Sequence, residues 1–152
     1  CAGRTGIAGH VGHMVVDVDG PPCICVGGGI VEAIASGPHM ADWARQQGWA
    51  GPKNNDAKEL ADAAAAGDQI AILAFRRGAR AVAAMIASVG AVCDLDLVVI
   101  GGGVANSGPV LFDPLREALR DYATLDFLAD LRVLPAELGG EAGLVGAAAL
   151  LR

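Results

Sequence analysis

Leu97-Val98-Val99-Ile100-Gly101-Gly102-Gly103 is the stretch of sequence that decides the fold. Its first four residues form a short, continuous apolar run, which is typical of a strand buried on both faces within an α/β sheet. The glycines that follow have no side chains, so the backbone can turn tightly there and a ligand can approach it closely. We therefore expect a buried strand over Leu97–Ile100 that ends in a tight turn.

Helical patterns flank this strand on both sides. Asp68 is placed to cap a long helix over Gln69–Val89, whose apolar residues recur at the spacing of one buried stripe. After the glycines, Asp113-Pro114 is predicted to start a helix and Leu131–Leu134 to form a final strand. Strands that alternate with helices predict an α/β fold with some parallel pairing.

Shorter elements are predicted towards both ends of the chain. Their common signals are capping residues, glycines and prolines at the boundaries of apolar segments. They are a strand over Met14–Val18, helices over Ile30–Ser36 and His39–Gln47 separated by Gly37-Pro38, a helix capped by Asp56 and Glu59 and ended by Gly67, and a helix that follows Gly139-Gly140-Glu141 and ends at Leu151.

The composition indicates one globular domain and excludes two classes of partner. Hydrophobic residues make up 53% of the 152 residues, which is enough for a real core. The formal net charge is -6, and no run of Lys or Arg could neutralise several phosphates, so direct binding of nucleic acid is not expected. The longest apolar stretches are about half of what a membrane span requires, so no membrane partner is expected either.

The four cysteines, at positions 1, 23, 25 and 93, favour a reducing cytoplasm. Cys23 and Cys25 are too close in sequence for a relaxed disulfide with each other. The chain opens on Cys1 and shows no charged segment followed by an apolar core, so no export signal is visible. We expect the chain to be a fragment of a longer cytoplasmic protein.

Two clusters suggest binding sites, and each has a structural alternative. His13, Cys23 and Cys25 are good zinc ligands, but a structural zinc site usually has four, so a hydrogen-bonded histidine and two small loop residues are the alternative. Gly101–Gly103 could belong to a dinucleotide fold, but Asn106 stands where that motif needs a small residue. A tight turn is the alternative for the glycines.

Several motifs in order resemble the ROK family of sugar kinases, related open reading frames and sugar-responsive repressors. They are Gly12-His13-Met14, the ten-residue gap to Cys23-x-Cys25, the segment Val31–Gly37, the loop Val98–Val104 and the closing segment Leu138–Ala147. The resemblance implies a ribonuclease H-like, actin-like ATPase fold. It also implies that residues 1–152 are one C-terminal lobe, without the N-terminal lobe.

The resemblance implies roles for particular residues on the sugar side. His10, His13 and Glu32 occupy the family's sugar-binding positions, although His10 stands where a glutamate is usual. His13, Cys23 and Cys25 occupy three of the four zinc positions, and Ile30 replaces the remaining cysteine. Isoleucine cannot bind a metal, so zinc binding remains an open alternative.

The resemblance also implies a nucleotide site and a reaction. Gly101, Gly102 and Gly103 would seat ATP with Mg, with Asn106 or Ser107 nearby, and the chain would serve an ATP-dependent hexose kinase that forms homodimers. No catalytic residue is expected in this chain, because the family's phosphate loop and general base belong to the N-terminal lobe. The alternative is the effector-binding lobe of a sugar-responsive regulator, whose DNA contacts lie in a separate domain.

Overall fold

The computed structural model describes residues 3–24, 27–53 and 57–150. Within these ranges the chain is a mixed α/β protein with six helices and two small sheets. The helices are α1 Val31–Ala35, α2 Gly37–Gln46, α3 Ala57–Ala65, α4 Gln69–Cys93, α5 Pro109–Tyr122 and α6 Ala142–Ala149, and the strands are β1 Pro22–Cys23, β2 Gly27–Gly28, β3 Leu97–Ile100 and β4 Arg132–Pro135.

Helix α4 is the central element, as its apolar pattern predicts. The Asp68 side chain accepts hydrogen bonds from the backbone N–H groups of Ile70 and Ala71, so the predicted cap is confirmed. The helix continues to Cys93, four residues beyond the predicted end at Val89, and Asp94 closes it with a left-handed φ of 53°. None of the described helices, α4 included, has the length and hydropathy needed to cross a membrane.

The buried face of α4 is built largely from small residues, which lets neighbouring helices approach closely. Ala71, Ala79 and Ala83 are fully buried, and Phe75 supplies the largest side chain on this face. At Gly78 an added Cβ would lie 2.6 Å from the Met40 sulfur of α2. The buried stripe of α4 therefore consists of small residues as well as larger apolar ones such as Ile86.

Strand β3 has the predicted bounds and pairs in parallel with β4, with Leu97 opposite Arg132 and Ile100 opposite Pro135. The prediction that β3 is buried on both faces is wrong. Side chains alternate along a strand, and Val98 and Ile100 pack against the core whereas Leu97 and Val99 are 41% and 56% exposed. In the described part of the chain, helices cover only one face of this sheet.

Three boundary predictions also fail. Within Met14–Val18 only Val15 pairs, through a single bridge to Ile30, so that segment is a loop. Helix α5 begins at Pro109, because a proline is favoured in the first turn of a helix. Pro114, the predicted start, lies inside the helix. The two short helices separate at Ser36, and Gly37-Pro38 opens α2. Asp56 and Leu151 lie outside the described residues.

Candidate functional site

The structure brings His13 and Glu32 together, although they are far apart in sequence. His13 ends a short 3-10 helix, Val11–His13, and Glu32 lies in the first turn of α1. The Nε2 atom of His13 is 3.8 Å from Oε2 of Glu32, and both side chains remain partly exposed. A hydrogen bond from the Val31 N–H to the Met14 carbonyl, 3.1 Å long, joins the two segments. An imidazole and a carboxylate are thus accessible side by side.

His10 belongs to the same cluster. Its ring centroid is 5.9 Å from that of His13, and the two rings are tilted by 51°. His10 is exposed and its side chain makes no capping hydrogen bond to the 3-10 helix that follows. All three side chains predicted to contact a sugar therefore lie in one exposed cluster, which offers hydrogen-bond donors and acceptors to a polar ligand.

The backbone around Gly29 fixes the segment that precedes Glu32. The Gly29 carbonyl accepts hydrogen bonds from the N–H groups of Val16 (2.9 Å) and Asp17 (3.2 Å), and its own N–H donates to the Pro21 carbonyl (2.8 Å). Gly29 has a φ of +68°, and an added Cβ would lie 1.6 Å from the Asp17 carbonyl oxygen. Only glycine fits this position, so Gly29 has a structural role here.

The predicted metal ligands do not form a complete site within the described residues. Cys23 is disulfide-bonded, and a disulfide sulfur is not a thiolate ligand for zinc. Ile30, at the position of the family's next cysteine, is fully buried in the core, and Cys25 lies outside the described residues. Nowhere in residues 3–24, 27–53 and 57–150 do three His, Cys, Asp or Glu side chains group as metal ligands. Zinc binding through His13, Cys23 and Cys25 stays a prediction.

The glycine loop borders a second candidate site. Gly103 begins a 3-10 helix that ends at Ser107, and with Asn106 and Ser107 it lines a cavity of about 660 Å³. An added Cβ at Gly103 would meet no atom within 4 Å, so this glycine faces open space. Gly101 instead packs near Ala136, and Gly102 provides the turn with a φ of +90°. Of the three predicted nucleotide residues, Gly103 therefore lines the cavity.

The rest of the lining of this cavity is not predicted from the sequence. It includes Pro38 of α2 and, from α3, Lys58 and Asp62. Lys58 Nζ lies 3.4 Å from Asp62 Oδ2, and both side chains are largely exposed. Their spacing of four residues is common on any solvated helix, so nothing in the sequence distinguishes this pair from an ordinary surface pair. The cavity volume is in the range of small-molecule sites.

Comparison with protein families tests the resemblance carried by these motifs. The model of the ROK family matches residues 1–152. The chain belongs to the ROK family. The family assignment made from the motifs is therefore confirmed over the whole chain.

The curated ROK relatives include sugar kinases. The chain is 35% identical over 162 residues to a glucokinase of Thermotoga maritima, covering 99% of this chain and 51% of the relative. It is 40% identical over 148 residues to an N-acetylmannosamine kinase of Escherichia coli, covering 97% of this chain and 48% of that relative. The chain therefore spans about half the length of the curated relatives it matches.

Solved ROK structures share the fold. The ROK family glucokinase from Streptomyces griseus, solved with glucose and AMPPNP, superposes with a TM-score of 0.82 at 34% identity, over 95% of this chain and 51% of that one. A ROK family transcriptional regulator, a homologue of the E. coli MLC protein, superposes with a TM-score of 0.75 at 25% identity, over 89% of this chain and 36% of that one. These neighbours support the actin-like ATPase fold implied by the motifs.

Proposed function

We propose that this chain is the C-terminal, sugar- and nucleotide-binding lobe of an ATP-dependent hexose kinase, and that it is inactive without an N-terminal lobe. One observation carries the proposal: His13 and Glu32, the sugar positions implied by the motifs, lie 3.8 Å apart in a fold shared with a glucokinase solved with glucose and AMPPNP. Identities of 35% and 40% to two sugar kinases support the same reaction class.

The exposed cluster is suited to hold a hexose. The Glu32 carboxylate can accept hydrogen bonds from two adjacent sugar hydroxyls, and such charge-assisted bonds are stronger than neutral ones. His13 can donate or accept one more, and its neighbour Glu32 limits the orientations of its ring. His10 offers a single acceptor when neutral, where a carboxylate would offer more. We therefore assign sugar orientation to Glu32 and His13 and a weaker contact to His10.

The cavity beside Gly103 is suited to the nucleoside part of ATP. Its backbone is open at Gly103, and Asn106 and Ser107 supply polar groups on the same side. We assign magnesium to ATP itself, where it would balance the phosphate charge. Gly101 and Gly102 hold the turn that presents Gly103.

The chemical step needs groups that this sequence does not contain. An Asp-x-Gly-Gly-Thr phosphate loop occurs nowhere in the 152 residues. Phosphoryl transfer depends on positioning and on stabilisation of charge on the transferred group, so one side of a cleft is not expected to give turnover. We propose that the N-terminal lobe brings the base and the phosphate loop, and that the whole kinase is a cytoplasmic homodimer.

A second candidate is the effector-binding lobe of a sugar-responsive regulator. The superposition on a ROK transcriptional regulator favours it, as does the departure from glutamate at position 10. In that case sugar binding would shift a conformational equilibrium without turnover. The upstream sequence separates the two proposals, since a kinase would carry the phosphate loop and a regulator a basic helix-turn-helix segment.

The test is ATP-dependent phosphorylation of a panel of hexoses by the longer protein that contains this chain. We expect turnover that falls at least tenfold in Glu32→Gln, because the variant keeps the size of the side chain but loses the charge-assisted bonds. Glu117→Gln is the matched control, since Glu117 is exposed on α5 and belongs neither to the sugar cluster nor to the lining of the cavity beside Gly103. Sugar binding with no phosphorylation of any hexose would favour the regulator instead.

The nucleotide assignment has its own test in this chain. Gly103→Val should lower the affinity for AMPPNP, because the added Cβ would point into open space and the valine methyl groups would take up room in the cavity. Gly143→Ala is the control, since an added Cβ there also meets open space, on α6 and away from the cavity. Equal AMPPNP affinity in the Gly103→Val variant and the unmodified chain would contradict the assignment.

A further inference from the structure

A separate cavity of about 560 Å³ is lined by three arginines of α4. They are Arg76, Arg77 and Arg80, and Asp17 is the only carboxylate among the described residues of the lining. Its lining shares no residue with the cavity beside Gly103. The chain as a whole carries a formal net charge of -6, whereas the lining of this cavity has more positive than negative side chains. Anions would be attracted to this place on the molecule.

Arg77 is held in the cavity wall without a salt bridge to any described residue. Its guanidinium lies over the Trp43 ring at 5.5 Å and donates one weak hydrogen bond, 3.5 Å long, to the Ile34 carbonyl. Burial lowers the pKa of Arg77, and the charge of Asp17 acts in the opposite direction. The group still stays protonated near neutral pH, because arginine loses its proton only at far higher pH. Its other N–H donors have no acceptor among the described residues.

Arg80 and Arg76 are similarly available. Arg80 donates to the Tyr122 hydroxyl over 2.8 Å and lies over the same ring at 5.5 Å, so aromatic contacts fix two of the three guanidiniums. Arg76 forms no hydrogen bond or salt bridge with any described residue. Glu117 and Asp121 of α5 face Arg76 and Arg80 across an adjoining groove, but neither reaches salt-bridge distance. The carboxylates of Glu117 and Asp121 therefore weaken the positive potential on that side of the cavity, but they form no ion pair with Arg76 or Arg80.

We propose that this cavity binds the phosphate group of a small molecule, either a phosphate ester or free phosphate. Planar guanidiniums match the geometry of phosphate oxygens and can donate two parallel hydrogen bonds each. Aromatic stacking holds Arg77 and Arg80 before a ligand arrives, which lowers the entropic cost of binding. Ile34 and Leu73 add apolar wall, which gives the organic part of an ester a surface to contact. The proposal does not depend on the kinase proposal.

The test is calorimetric titration of the full 152-residue chain with inorganic phosphate and with a hexose monophosphate, at constant ionic strength. Saturable binding is expected, and Arg77→Gln and Arg76→Gln should each weaken it about tenfold, the usual effect of losing a hydrogen bond to a charged group. Arg76 is exposed and unpaired, so its variant is expected to fold even if Arg77→Gln does not. Tighter binding of the ester than of free phosphate would identify the ester as the ligand, and equal affinities would identify phosphate.

Two control variants separate this cavity from the rest of the molecule. Arg132→Gln removes the same charge from an exposed arginine of β4, and Lys58→Gln removes a cation from the cavity beside Gly103. Neither should change the affinity for phosphate. The proposal is overturned by an absence of saturable binding, by an equal loss in Arg132→Gln and Arg76→Gln, or by a loss in Lys58→Gln with none in Arg76→Gln.

Discussion

Gly29 shows how a single residue without a side chain supports the sugar cluster. Its backbone accepts from Val16 and Asp17 and donates to Pro21, and a Cβ would overlap the Asp17 carbonyl oxygen at 1.6 Å. We expect Gly29→Ala to lower the free energy of unfolding by about 3 kcal/mol or more, since strain at positive φ and a backbone collision act together. Urea unfolding measures this loss of stability. A hexose titration should also show weakened binding, because Glu32 lies in the first turn of α1, directly after Gly29 and Ile30.

Gly27→Ala is the matched control for that variant. Gly27 also has a positive φ, +105°, but an added Cβ there meets nothing within 4 Å. Strain alone should cost about 1 kcal/mol, clearly less than at Gly29. Equal losses at the two glycines would show that the contact with Asp17 is not what makes Gly29 necessary.

His10 is the residue at which the sugar cluster departs from the pattern of its family. A glutamate there would add a second carboxylate next to His13, whose ring lies 5.9 Å from that of His10. We expect His10→Glu to raise the affinity for a hexose several-fold, because a carboxylate accepts from two hydroxyls where a neutral imidazole accepts from one. Isothermal titration with glucose and with N-acetylmannosamine measures this gain. Unchanged affinity for both sugars would place His10 outside the sugar contact.

The residues of the candidate site could be predicted only in part. Spacing alone could not pair His13 with Glu32, because the loop between them folds back through hydrogen bonds to Gly29 that no local pattern specifies. The motifs of the family supplied that pairing. The arginine cavity had no such motif, since it combines α4 with Asp17 from a loop and Tyr122 from the end of α5. Contacts between distant segments are what single-sequence patterns leave out.

At the scale of elements, the two ends of α4 give opposite predictions. Asp68→Ala removes the acceptor of two capping hydrogen bonds and should lower the free energy of unfolding by about 1 kcal/mol. Asp94→Gly should raise it by up to about 1 kcal/mol, because glycine adopts the left-handed conformation of Asp94 without strain. Urea unfolding of both variants checks the signs. A loss of stability in both would mean that the Asp94 side chain contributes more than its backbone strain costs.

Elements with strong local signals were predicted well, and those that depend on a partner were not. The Asp68 cap correctly predicts that α4 begins at Gln69, and the apolar run Leu97–Ile100 correctly predicts the bounds of β3. Met14–Val18 has strand-forming residues but only one bridge, because Gly29 occupies the backbone groups of Val16 and Asp17. Asp113-Pro114 predicts a helix start, yet α5 begins at Pro109 and continues past Pro114, whose missing N–H removes one backbone hydrogen bond.

At the scale of the whole molecule, apolar surface is left open on the sheet and on α6. Val99 and Leu134 are 56% and 42% exposed on the uncovered face of the sheet, and Leu144 of α6 is 69% exposed. Val99 and Leu134 are register partners on neighbouring strands, so they form one exposed apolar patch, and such patches often mark interaction sites. The chain spans about half the length of its curated relatives, so the proposal of a longer homodimeric protein provides two ways to cover this surface.

We expect the isolated chain to self-associate through this apolar surface. Burial of apolar side chains stabilises association by about 25 cal/mol per Å², and α6 contributes a helix that is apolar along its described, exposed residues. Sedimentation velocity over a range of concentrations should show a growing oligomer fraction, which Val99→Thr combined with Leu144→Gln reduces. Val18→Thr is the control, since Val18 is 88% exposed but lies in the loop before β1. A chain that stays monomeric at every concentration, or an equal effect of the control, would contradict association through the sheet and α6.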